Sequence, residues 1–221
     1  MPGMSETRSG ASALTIESIS VADPPEAWAA AGFEVNGRTC RVGSIEVELA
    51  GREAGRGLLA MSVRGLSAAK PDGLPFEPAP AAPVPAPAAT HPNGVVRIDH
   101  VVAFTPNRGR TVAALEAAGL VLRRLRDEPT PGGGGGQAFF RLGESILELV
   151  ENPRPRSPDE PGRLWGLAFL VEDLDVTARV LGERLGEARP AVQPGRRIAT
   201  LRRDAGLSFG CAFMTPGPEA A

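Results

Sequence analysis

Tyrosine is absent, aromatic residues make up only 5% of the chain, and lysine is reduced to the single Lys70. Arginine therefore carries almost all of the positive charge. With 24 Lys+Arg against 26 Asp+Glu the formal net charge is -2, which leaves no cationic excess to neutralise a phosphate backbone and excludes nucleic acid as an expected partner. Cysteine is also scarce. Cys40 and Cys211 stand far apart and outside any CxxC spacing, so neither a disulfide framework nor a zinc knuckle is expected, and a reducing, cytoplasmic setting fits best. No run of about 18 apolar residues occurs, and the opening MPGMSETRSG lacks an apolar core of signal-peptide length, so no membrane span and no export signal are expected.

What is present is an ordinary globular composition: 221 residues, 42% hydrophobic and 23% charged, enough for one good core or two small ones. Residues 71–94 (PDGLPFEPAPAAPVPAPAATHPNG) are rich in proline and alanine without apolar periodicity and are expected to be extended and mobile. NPRPRSPDEPGR at 152–163 carries four prolines and is excluded from helix and from central strand. The resulting division is a disordered N-terminus at 1–13, a module at 14–66, a linker at 67–94, two modules at 95–151 and 164–215, and a tail at 216–221.

Each block opens with a β-rich stretch and continues into a helix. In the second block VVRIDHVVAF (95–104) is a strand, and Val112, Leu115 and Leu120 take amphipathic spacing, with Gly119 as a stop. In the third, WGLAFLVEDLD (165–175) runs into a helix whose apolar face is Val176, Val180, Leu181 and Leu185. The first has LTIESISVAD (14–23), then a helix opened by Pro24 and Pro25. RVGSIEVELA at 41–50 and RLGESILELV at 141–150 share Arg, Gly, Glu and Leu at common offsets, a repeat that makes the chain a lone module followed by a pair.

At these residues the chain resembles the vicinal-oxygen-chelate superfamily, which includes glyoxalases, bleomycin-resistance proteins and dioxygenases. The resemblance rests on Ile98-Asp99-His100-Val101-Val102 as a module's first strand and Ile146-Leu147-Glu148-Leu149-Val150 as its last. The stretch Gly166-Leu167-Ala168-Phe169-Leu170-Val171-Glu172-Asp173-Leu174-Asp175 is similar to the opening of the second module. It implies an α+β fold, with paired βαβββ modules forming curved mixed sheets around a cleft at 95–215, plus an additional N-terminal βαβββ-like module. It implies no single activity, because one scaffold hosts many chemistries.

The resemblance also implies metal-ligand positions, because N and O donors on one concave face converge on a divalent ion. His100 and Glu148 match two of them. The third falls on Gly166, which has no side chain, and the fourth near Cys211 or Ala212. Three protein ligands is the common number for a catalytic metal, so the expectation is no cofactor, with a divalent metal as the alternative. Placing His at 166 and Glu at 212 is expected to complete the set.

His100 also fits a general base or a satisfied core histidine, and Glu148 faces opposite to Leu147 and Leu149 by alternation. Trp165 and Gly166 are expected beside them in the cleft, with Trp28 as a packing residue. The glycine run 132–136 has no following Lys-Ser/Thr and opens a strand, so it is expected to be a loop bordering the pocket. The pairs Arg123-Arg124, Arg196-Arg197 and Arg202-Arg203 are weak candidates for gripping an anion. The expected function is a small-molecule-binding protein with a degenerate metal site. The alternative is a metal-dependent lyase or dioxygenase whose substrate oxygens complete the coordination. A homodimer is left open.

Overall fold

The computed structural model describes residues 14–79, 89–129 and 133–217. The expected disordered N-terminus at 1–13, residues 80–88 of the expected linker, Gly132 of the glycine run and residues 218–221 of the tail lie outside the described residues.

The larger of two sheets has eight strands. At its centre β6 (Val95–Thr105) runs antiparallel to β10 (Arg163–Val171). Beyond β6 lie β9 (Ser145–Glu151), β8 (Gln137–Leu142) and β7 (Leu122–Arg126); beyond β10 lie β13 (Gly210–Met214), β12 (Arg197–Thr200) and β11 (Arg189–Pro190). The parallel pairs β6–β9 and β10–β13 need crossovers, and each crossover contains a helix, α2 (Arg108–Ala117) or α3 (Leu174–Leu181). This is the paired-module architecture expected of residues 95–215. Asn107 and Asp173 cap the two helices, accepting from the backbone N–H of Arg110 and Asp175 at 3.0 and 2.8 Å.

Strand alternation gives this sheet two unlike faces. Val101, Ala103, Leu147, Leu149, Ala138, Phe140, Leu167, Phe169 and Phe213 are at most 2% exposed and form the core face. His100, Val102, Phe104, Glu148, Phe139, Ala168 and Ala212 share the other, open face by register.

The N-terminal sheet has five strands in the order β2 (Thr39–Val42), β3 (Ile45–Leu49), β1 (Thr15–Val21), β4 (Leu58–Arg64), β5 (Phe76–Pro78). Its chain order starts as strand, helix α1 (Pro25–Ala30), then three strands. Its topology repeats the centre of the larger sheet: β1 pairs parallel with β3 and antiparallel with β4, and β4 pairs parallel with β5. β3 therefore corresponds to β9, as the 41–50 and 141–150 repeat implies, and Gly43 and Gly143 turn both hairpins at φ of 59° and 64°. β4 and β5 correspond to β10 and β13. The lone N-terminal module expected from the sequence is thus half of a shortened pair.

The expected linker supplies only the last strand of that pair, since β4 lies within the expected 14–66 module. Phe76–Pro78 form an edge strand, where a proline's lost N–H breaks no ladder bond. Asp72 accepts from Arg110 Nε at 2.7 Å and from the Thr111 hydroxyl, tying this segment to α2. His91 is buried, with Nδ1 accepting from the Glu34 N–H at 3.0 Å and Nε2 donating to the Arg41 carbonyl at 3.1 Å.

The two sheets pack core face to core face in one continuous apolar cluster. β4 lies against β10 and β2 against β6. Trp28 of α1 is fully buried, with its ring edge-on to Phe169 at 6.1 Å, and Phe33 lies 5.0 Å from the same ring. Residues 95–215 therefore do not own a closed core, because Phe169 is covered from the N-terminal unit.

Candidate functional site

The open face owes its polar cluster to an irregularity in β6. Pairing steps from Ala168 opposite His100 to Phe169 opposite Ile98, leaving Asp99 as an extra residue. Plain alternation would turn Asp99 into the core. The bulge places it instead beside His100, with Asp99 Oδ2 accepting from His100 Nδ1 at 3.0 Å. Arg196, buried just before β12, grips the same carboxylate with both ends of its guanidinium, Nη2 to Oδ1 at 2.9 Å and Nη1 to Oδ2 at 3.3 Å. Arg196 is fixed in turn by Nε donating to the Thr215 carbonyl at 2.8 Å and Nη1 to Gln193 Oε1 at 2.6 Å. Burial pushes the Asp99 carboxyl up, but hydrogen bonds from His100 and Arg196 outweigh it and hold the group well below the usual carboxylate range.

Because Asp99 is ionised and can only accept, His100 Nδ1 is the donor of that hydrogen bond. Nε2 lies 3.4 Å from Glu148 Oε2. The other Glu148 oxygen accepts from Gln137 Nε2, and Gln137 Oε1 is buried without a hydrogen-bond partner among the described residues. The His100 and Glu148 side chains are 18% and 17% exposed. The structure thus brings the two predicted residues together. It adds Asp99, Arg196 and Gln137, which the sequence reading did not place in the site.

The other half of the expected metal set is absent in a specific way. Register relates position 100 to 166 and position 102 to 168, and Glu148 beside Val102 to Ala212 beside Ala168. Ala212, not Cys211, faces the site; Cys211 is buried in the core, where burial pushes its thiol up. A Cβ on Gly166 would overlap the Gly210 carbonyl oxygen, and one on Gly210 would lie 2.6 Å from the Trp165 ring, which covers that glycine. Among the described residues no group of three or more His, Cys, Asp or Glu is arranged to hold a metal ion. A resident metal with three protein ligands does not fit these side chains. The expectation that His at 166 would complete the set is corrected by the same geometry, since the strand backbones leave no room for a side chain.

Trp165 is 40% exposed, meets Phe104 edge-on at 5.4 Å, and with Val102 and Val150 makes the apolar part of the face. The Arg163 guanidinium lies 5.2 Å above the Phe104 ring. Arg123, Arg124, Arg202 and Arg203 are exposed and do not converge on the site. Gly135 and Gly136 pair with Glu151 through backbone hydrogen bonds of 2.8 and 2.9 Å, and the bare Gly136 lets the Arg108 guanidinium pass. Glu48, the counterpart of Glu148, lies exposed on the outer face of the N-terminal sheet and cannot reach His100. No described helix is long and apolar enough to cross a membrane.

No family model and no curated protein matches the chain. Solved structures do. A variant of 4-hydroxymandelate synthase from Streptomyces coelicolor superposes with a TM-score of 0.61 at 16% identity, covering 95% of this chain and 95% of that one. A xylose isomerase-like TIM barrel/4-hydroxyphenylpyruvate dioxygenase fusion protein gives 0.62 at 15% identity, over 96% of this chain and 50% of that one. Methylmalonyl-CoA epimerase from Mycobacterium tuberculosis gives 0.47 at 20% identity, over 57% of this chain and 91% of that one. The first two matches extend over the N-terminal unit as well as the complete pair, in agreement with the strand topology, and the fold of this chain is that of the vicinal-oxygen-chelate superfamily.

Proposed function

We propose that the open face around His100 is a cleft that binds a small organic molecule without a resident metal ion, in a cytoplasmic protein. The donor set carries this reading: His100 and Glu148 stand together, while Gly166 offers neither donor nor room and Ala212 offers no donor. A few convergent polar groups beside an apolar floor of Val102 and Val150 and a wall of Phe104 and Trp165 is the make-up of a small-molecule site.

A second reading has one observation in its favour. Metal-bound histidines donate their other N–H to a carboxylate, as His100 does to Asp99, which suits a lyase or dioxygenase whose substrate oxygens complete the coordination. Elemental analysis and native mass spectrometry of protein purified without a metal-binding tag separate the two. Metal far below one ion per chain is expected. One ion per chain, lost on His100→Ala, overturns the metal-free reading and favours the enzyme.

A further inference from the structure

We propose that β7, at one edge of the larger sheet, is a docking site for an extended acidic segment of a partner protein, which adds to the sheet as a further strand. This is independent of what the cleft binds, and it gives the Arg123-Arg124 pair a use.

The four strands that end the two sheets are β2, β5, β7 and β11, and they are not alike. A sheet edge presents unpaired N–H and C=O groups, and folded proteins block such edges by covering them, shortening them or placing proline there. β11 is two residues long, and one of them is Pro190. β5 is three residues long, Pro78 has no N–H, and the Phe76 carbonyl accepts from the Lys70 N–H at 2.8 Å. β2 is closed by the bridge between Asn36 and Thr39, and its Arg41 carbonyl accepts from the His91 ring at 3.1 Å. β7 is five residues long, contains no proline and pairs with β8 alone. The Arg126 carbonyl accepts from the Arg108 guanidinium at 2.9 Å. Over Leu122–Leu125, nothing among the described residues bonds to the outward side.

The side chains at this edge set the chemistry of the occupant. Val121 and Leu125 are 57% and 51% exposed, so large apolar groups stand in water at either end of it. Between them Arg123 and Arg124 are exposed and form no ion pair among the described residues. The neighbouring acids are already taken, Glu128 by Arg126 at 3.2 Å and Asp127 by Arg108 at 2.6 Å. Pairing with β8 sets Leu122 opposite Phe140 and Leu125 opposite Ala138, on the core side, and Arg124 opposite Phe139, on the open side. The register step between Leu122 and Arg124 leaves Arg123 as an extra residue. A strand that alternates apolar and acidic residues therefore places apolar side chains beside the leucines and carboxylates beside the free arginines, while its backbone fills the unpaired groups. A second copy of the same edge fits poorly, because antiparallel β7–β7 pairing sets the two arginine rows against each other.

The test uses the full chain and a fluorescein-labelled peptide of seven residues alternating valine and glutamate, followed by fluorescence anisotropy. Saturable binding is expected, and the backbone amides of Leu122–Leu125 should gain protection from hydrogen exchange. The fully N-methylated peptide keeps its carboxylates but loses every backbone donor, and it should bind at least about tenfold more weakly. Arg123→Glu combined with Arg124→Glu should weaken binding roughly tenfold with an unchanged circular dichroism spectrum, because both positions are solvent-exposed. No saturable binding, equal binding of the N-methylated peptide, equal binding by the double variant, or protection confined to residues outside β7 overturns the proposal. Sedimentation showing a dimer that blocks the peptide would assign the edge to a second copy. Binding to phosphatidylserine vesicles that the peptide does not displace would assign it to a membrane surface. Either of these results overturns the proposal as well.

Discussion

Replacing Phe169 with alanine tests whether the two sheets share one core. The ring is fully buried and touches three others, Trp28 at 6.1 Å, Phe33 at 5.0 Å and Phe213 at 5.7 Å. Two of those partners belong to the N-terminal unit, so the cavity would open between the sheets, where neither can collapse without moving the other. Truncating a buried phenylalanine costs about 3–5 kcal/mol, a large part of a typical stability of about 5–15 kcal/mol. With a urea m-value of about 3 kcal/mol/M the midpoint should fall by about 1–1.7 M. Unfolding can be followed by far-ultraviolet circular dichroism and, in a Trp165→Phe background, by Trp28 fluorescence, and the two curves should coincide. A double-mutant cycle with Trp28→Ala should give a coupling of about 0.5–1.5 kcal/mol for the edge-on pair. A loss below about 1 kcal/mol, or additive single changes, would refute the shared core.

Other outcomes follow from the same contacts. A chain lacking residues 1–79 should bind a hydrophobic dye and lose cooperative thermal unfolding, because the core face of β10 is uncovered; a sharp transition at unchanged temperature would contradict this. Gly166→Ala should destabilise by about 1–3 kcal/mol through its clash with the Gly210 backbone, and Gly166→His combined with Ala212→Glu should not yield tight metal binding, as isothermal titration would show. Burial lowers the His91 pKa, so the folded state binds fewer protons than the unfolded one. Stability present above about pH 6.5 is therefore lost as pH falls below it, and His91→Gln should flatten that part of a plot of urea midpoint against pH. Asp99 is also depressed, so its contribution is present above about pH 4 and lost below, a limb that Arg196→Gln should weaken.

Much of this protein is determined by its sequence alone. Period-2 alternation around Leu147, Glu148 and Leu149 assigns their faces, the Arg-x-Gly repeat locates two matching hairpins, and I-D-H-V with I-L-E-L-V places His100 and Glu148 on neighbouring strands. These are local signals, and a sheet converts them into position by simple register. The rest depends on contacts between residues far apart in the chain. Asp99 lies one residue from His100, where alternation alone assigns it to the opposite face, and only the bulge against β10 brings it round. Its partner Arg196 is 97 residues away and looks like any other arginine in a pair. Residues 71–79 have the composition of a linker, yet Phe76–Pro78 among them form an edge strand because β4 offers an unpaired side. That Gly166 cannot be given a side chain depends on how close the backbone of β13 runs. That distance is set by the packing of the whole sheet and leaves no trace in the letters around position 166.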